Sequence, residues 1–177
     1  MKTQKLVTYA FFSALNVVLS QFSLHIPFSP IPINLALLSV FICSGMIDAY
    51  GSFISQLIFI LLGAIGLPVY ANFSGGIGVL FGPSGGFLFS YPLIGVIVGI
   101  IIKKIGYKFY TLILSMLLGL FVCYSLGTIC FAYITNTSFI NSIALCVAPF
   151  LFFDIVKTII ASALVMKLRG RIKYDIS

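Results

Sequence analysis

The chain has 177 residues, of which 61% are hydrophobic and only 7% charged, and its mean hydropathy is +1.22. A water-soluble domain carries about a quarter charged residues, so most of this surface must face lipid, and the chain reads as an all-α integral membrane protein with one membrane-embedded domain over residues 1–177. The net charge of +7 comes from ten Lys/Arg against three Asp/Glu, too sparsely spaced for a nucleic-acid surface, so membrane lipid is the expected surroundings and nucleic acid is excluded as a partner.

Hydropathy and helix breakers divide the chain into six stretches, at residues 6–24, 33–47, 51–67, 87–102, 109–134 and 143–166. Lys2 and Lys5 precede the first, an arrangement shared with signal peptides. No small-residue cleavage site follows, and Asn16, Ser20 and Gln21 suit a retained helix packed on others. The segment from His25 to Pro32 holds three prolines, which remove donors and forbid helix; the lone His25 is given no role. Residues 68–86 form an uncharged outer loop between the third and fourth stretches, and residues 135–138 form a polar turn before the sixth.

Six spans with both termini in the cytoplasm put all nine peripheral cations on one side: Lys2 and Lys5, the turn holding Lys103, Lys104 and Lys108, and the tail with Lys167, Arg169, Arg171 and Lys173. That is the positive-inside distribution, and a seven-span reading breaks it. Cys43, Cys123, Cys130 and Cys146 lie in apolar stretches without a CxxC or a neighbouring His. They read as small buried hydrophobes, with no disulfide, metal or other cofactor.

Two features point to a site. Between Gly66 and Gly86 there are seven glycines in 21 residues. Backbone near a membrane leaves helical form only where it is buried in protein or lines a cavity, so a loop folded against a small-molecule pocket and a merely flexible outer loop are both open at this level. In the sixth stretch, Asp154 and Lys157 stand three residues apart and share a helix face. Charges within a span are costly and mark function by default, and a purely structural pair has little advantage over two apolar residues.

The order of residues in the loop is specific. Gly66-Leu67-Pro68-Val69-Tyr70-Ala71, then Ser74-Gly75-Gly76-Ile77-Gly78-Val79-Leu80, then Gly82-Pro83-Ser84-Gly85-Gly86-Phe87-Leu88 closely resembles the signature of the BioY family, the biotin-specific S components of energy-coupling factor (ECF) transporters. Ile26-Pro27-Phe28-Ser29-Pro30-Ile31-Pro32-Ile33 is similar to the family's first outer loop, and Pro149-Phe150 followed by Asp154-Ile155-Val156-Lys157 to its last helix. The chain departs from the pattern in reading Asn34-Leu35-Ala36, where the family usually has a glutamine, and Asp48-Ala49-Tyr50 near the end of the second stretch, where it often has basic residues; no arginine occurs before Arg169.

The resemblance implies a six-helix protein in the plasma membrane of a prokaryote that binds biotin from outside. It further implies work with a transmembrane coupling subunit and two cytoplasmic ATPases; no phosphate-binding motif occurs in this chain. Biotin offers two ureido N–H donors, a ureido carbonyl, an apolar bicycle and a carboxylate. Asp154 is expected to accept from the donors, and Lys157 to neutralise the carboxylate or donate to the carbonyl. Asn72 and Ser74 are expected to add hydrogen bonds, and Tyr70, Phe73 and Tyr91 to cover the bicycle, as pockets combine apolar walls with few polar groups. Ala10 and Ala14 have the small-xxx-small spacing that lets helices approach closely, repeated by Gly95 with Gly99 and by Ser115 with Gly119; by resemblance the alanine pair contacts the coupling subunit. The competing readings are an S component for another vitamin, an intramembrane enzyme, or a channel. An enzyme would generally need a nucleophile and base or paired carboxylates, whereas the only charged groups expected inside the spans are Asp154 and Lys157.

Overall fold

A computed structural model describes residues 2–26 and 29–169. Pro27 and the tail cations Arg171 and Lys173 lie outside the described residues, as does the side chain of His25. The elements in order are α1 (Lys2–Gln21), β1 (Ser23–Ile26), β2 (Ser29–Asn34), α2 (Ala36–Met46), α3 (Ala49–Ala64), a single 3-10 turn (Ala71–Phe73), α4 (Ile77–Leu80), α5 (Gly85–Ile105), α6 (Phe109–Thr135), α7 (Phe139–Cys146) and α8 (Ala148–Arg169).

Among the described residues, three helices are long and apolar enough to cross a membrane by length and composition: α5, α6 and α8. α2 and α3 are shorter apolar helices. At about 1.5 Å per residue α2 rises only about 16 Å, roughly half a bilayer core. It compensates by position: ten of its eleven residues are buried, and it touches α1, α3, α5 and α8. A helix that is apolar or small all round belongs inside a bundle. The outside of the bundle is apolar as well, with Leu114, Phe121, Ile129 and Phe152 more than half exposed, a surface suited to lipid and not to water.

The interior holds the polar side chains. Ser13, Asn16, Ser52, Ser55 and Gln56 are almost fully buried where α1 packs on α3. Lipid is as apolar as leucine, so helices in it associate through close packing and interhelical hydrogen bonds. Asn16 Nδ2 donates to Gln56 Oε1 at 2.7 Å, and Ser55 Oγ donates to the carbonyl of Tyr9 at 3.0 Å. Close approach explains two of the three small-residue pairs. A Cβ at Gly95 would lie 2.6 Å from Ser52 Oγ, and one at Gly99 2.6 Å from the Ala49 backbone, so these glycines admit α3 against α5. A Cβ at Gly119 would meet Ile94 at 2.9 Å, which seats α6 on α5.

Three local expectations change. The proline segment, expected to be a loop, forms an antiparallel hairpin with Ser23 opposite Asn34 and Leu24 opposite Ile33. Pro30 and Pro32 alternate along β2, so both missing donors fall on one edge, and in a two-stranded ribbon such an edge is free. The sixth stretch is two helices, α7 and α8, broken at Val147. Pro149 cannot donate to the carbonyl of Leu145 but is well placed in the first turn of a new helix. The outer loop is shorter than expected, because Gly85 and Gly86 already belong to α5 and residues 77–80 form one turn of helix.

Candidate functional site

β2, the glycine loop and residues of α1, α2, α3, α5, α6, α7 and α8 line a cavity of about 390 Å³. Small-molecule sites fall in this range and combine apolar walls with a few placed polar groups. Among the described residues no three His, Cys, Asp or Glu side chains gather into a metal site.

The polar groups converge on α8. Asp154 and Lys157 both line the cavity and are 5% and 7% exposed. Lys157 Nζ donates to Asp154 Oδ1 at 2.8 Å and to the backbone carbonyl of Asn34 at 2.6 Å. Asp154 Oδ2 accepts from the Tyr124 hydroxyl at 2.6 Å. The Asn34 side chain meanwhile accepts from the Ala36 N–H at 3.1 Å, holding the turn from β2 into α2. Two charges out of water are tolerated only with such pairing and extra hydrogen bonds. An ammonium has three donors, two of them used here, and a carboxylate has about four lone-pair sites. The pair can therefore offer a ligand both an acceptor and a donor without breaking itself.

Aromatic rings form another part of the lining. Phe59 lies between Tyr70 (centroids 5.5 Å apart, edge-on) and Tyr91 (6.4 Å, stacked). The Tyr70 ring rests directly on Gly63, where any Cβ would overlap it, and its hydroxyl donates to the carbonyl of Ile60 at 2.7 Å. Burial pushes the Tyr70 phenol up to about 12, so it remains a protonated donor near neutral pH. Tyr70 thus pins the start of the loop to α3.

The loop then turns sharply. Asn72 and Phe73 both have positive φ, 58° and 55°, which for a bulky residue is uncommon and costs of the order of 1–3 kcal/mol. This reversal turns neighbouring side chains to opposite sides. Asn72 and Ser74 line the cavity, whereas Phe73 is 70% exposed and lies outside it. Asn72 Oδ1 accepts from Ser23 Oγ at 2.6 Å, and Ser74 Oγ donates to the carbonyl of Ala71 at 2.8 Å.

Of the seven side chains expected from the sequence, the structure brings six to one cavity: Tyr70, Asn72, Ser74, Tyr91, Asp154 and Lys157. The sequence reading missed Tyr124 and the Asn34 carbonyl. A phenol in the middle of an apolar span needs a partner, which was an available signal for Tyr124; no sequence signal marks a backbone carbonyl. Ala10 and Ala14 lie away from the cavity, exposed on the outer face of α1 together with Val7, Phe11 and Val18.

With this geometry in place, comparison with known proteins identifies the class. The sequence model of the BioY family matches residues 1–174, and the chain belongs to that family. It is 32% identical over 167 residues to the biotin transporter BioY of Thermotoga maritima, covering 94% of this chain and 96% of that one. It is 35% identical over 170 residues to the probable biotin transporter BioY of Pyrococcus horikoshii, covering 96% and 99%. A crystal structure of the S component for biotin from an ECF-type ABC transporter superposes with a TM-score of 0.89 at 27% identity, over 96% of this chain and 92% of the other. The S component of a bacterial ECF transporter, 18% identical with a TM-score of 0.59 over 97% and 96%, shares the fold.

Proposed function

We propose that this chain is the biotin-binding S component of an ECF transporter, a multi-pass membrane protein of a prokaryote and not an enzyme. The observation that carries the reading is the Asp154–Lys157 pair, held by Tyr124 and Asn34 and opening into a cavity of about 390 Å³. Biotin's ureido N–H groups match the carboxylate of Asp154. Its bicycle matches the wall of Phe59, Tyr70 and Tyr91, and Asn72 and Ser74 lie within the cavity to complete the polar contacts. Phe73, outside the cavity, serves as an outer cover of the loop.

In this reading the chain crosses the plasma membrane six times, counting α1 and the shorter α2 and α3 with the three long helices, and both termini are cytoplasmic. The support is the positive-inside distribution of the cations. The glycine loop then faces outside and closes over the ligand. Transport requires a transmembrane coupling subunit and two cytoplasmic ATPases. Ala10 and Ala14 are its docking point on α1, supported by their exposure while the glycine pairs are spent inside the bundle. Replacing both alanines with Leu should abolish co-purification with the coupling subunit and leave biotin binding intact; a normal yield of complex would place docking elsewhere.

The direct test of function is equilibrium binding of labelled biotin to the purified protein. Saturable binding, displaced by unlabelled biotin and not by other vitamins, is expected. Displacement by another vitamin at equal concentration would make that vitamin the substrate. The role of Lys157 is separable with biotinamide, which lacks the carboxylate. If Lys157 neutralises the carboxylate, wild type should lose affinity for biotinamide and Lys157→Met should bind both ligands equally. If it donates to the ureido carbonyl, the ratio of the two affinities is the same in both proteins.

A further inference from the structure

The glycine loop is tied to α1 by the last residue of that helix. The Gln21 side chain works in both directions: Nε2 donates to the carbonyl of Val69 at 3.0 Å, and Oε1 accepts from the N–H of Phe73 at 2.9 Å. Nε2 also lies 3.2 Å from the carbonyl of Val17, so the same amide closes the last turn of α1. Ser20 Oγ, one residue earlier, donates to the same Val69 carbonyl at 2.6 Å. These contacts bracket residues 70–72, and one of them lands on Phe73, which with Asn72 forms the positive-φ pair.

A primary amide donates to a carbonyl and accepts from an N–H at the same time; glutamate lacks the donor, and lysine the acceptor. The loop is also held by Val69 and Tyr70, buried against the bundle, by the Ser23–Asn72 contact and by the Gly76 N–H on the Gly63 carbonyl. Beyond Tyr70, however, Phe73 is exposed and Gly76 has positive φ. A stretch with few buried apolar contacts opens locally at low cost, so the position of residues 71–78 depends on the hydrogen bonds that fasten it.

We propose that Gln21 is a positioning residue that latches the glycine loop to α1 and so sets how long the loop stays closed over the cavity. It touches no cavity surface itself; its effect on the ligand runs through the loop backbone. The reading rests on the cavity being the biotin site, but its loop half does not need a ligand to be tested. Escape requires the loop to open, so loss of the latch speeds release.

The experiment reads ligand-free labelling by a water-soluble thiol reagent in the whole chain with its four cysteines replaced and Ser74→Cys added, and reads biotin release in the wild-type background, because Ser74, Cys123 and Cys146 line the cavity. Losing a hydrogen bond at each end of the amide should make Gln21→Ala label at least about threefold faster than its parent without ligand and, in the wild-type background, release biotin about tenfold faster. Gln21→Glu retains the acceptor for Phe73 and should fall between the two, a rescue that a merely structural role would not produce. If Gln21→Ala fails to accumulate, Gln21→Glu against the parent carries the same comparison. Labelling and release at the parent's rates would overturn the latch. A wild-type protein that binds no biotin overturns the proposed function instead, and ligand-free labelling still decides the latch.

Discussion

Two of the places where the protein buries polar groups behave differently. Where α1 packs on α3, Ser13, Asn16, Ser55 and Gln56 form a neutral seam in which Ser13 Oγ and Asn16 Oδ1 have no hydrogen-bond partner among the described residues. On α8, Asp154 and Lys157 carry full charges, yet both carboxylate oxygens and the ammonium are engaged. The costlier groups are the better satisfied, and they alone open into the cavity, whose lining includes none of the four seam residues. Burial of polarity therefore does not mark a ligand site here; burial combined with access does. The seam fastens helices in lipid, and the pair holds chemistry ready for a ligand.

The largest expected effect tests that distinction on α8. Asp154→Asn and Lys157→Ala should each weaken biotin binding by about tenfold or more, since a hydrogen bond to a charged group is worth about 1.5–3 kcal/mol. Each single variant also strands one buried charge, so the double variant Asp154→Asn/Lys157→Met is the sharper measurement. It removes the stranding and should leave the fold stable but binding lost. Recovery of binding in the double variant would make the pair structural and erase the contrast with the seam.

The seam should respond in the opposite currency. Asn16→Ala removes one partner of a buried amide pair and should lower thermal stability by about 1–3 kcal/mol, with biotin affinity unchanged in equilibrium binding. An affinity loss matching that of Asp154→Asn would mean the seam belongs to the site. Asn16→Leu with Gln56→Leu should recover much of the stability, because removing both partners of a buried hydrogen bond is far cheaper than removing one.

The smallest expected effect is at Tyr124. Tyr124→Phe keeps the ring and deletes the hydroxyl that holds Asp154 Oδ2, while Lys157 still holds Oδ1. Titration with biotin should show a loss of about three- to tenfold, the worth of one ordinary hydrogen bond. A loss as large as that of Asp154→Asn would make Tyr124 a ligand contact in its own right.

Much of this architecture was legible before any coordinates. Helix positions follow from hydropathy and breakers, which act within a few residues. The shared face of Asp154 and Lys157 follows from helical periodicity, and the charge-free loop from its glycines and prolines. Its order of residues was enough to suggest the family. The exposed partner of the docking proposal was only half legible: three small-residue pairs have the same spacing, and nothing in the sequence says which point inward.

What tertiary structure decided are the pairings between distant segments. Tyr124 meets Asp154 across 30 residues of chain, and Lys157 meets the Asn34 carbonyl across 123. Gly95 and Gly99 turn to α3, while Ala10 and Ala14 turn outward. Pro30 and Pro32 lie in a strand because a neighbouring segment supplies the other edge. Each outcome depends on how whole helices rotate and settle against one another, a choice made by the sum of packing over the bundle. Local propensity determines that a helix forms and which residues share its face; only the assembled neighbours determine what that face meets.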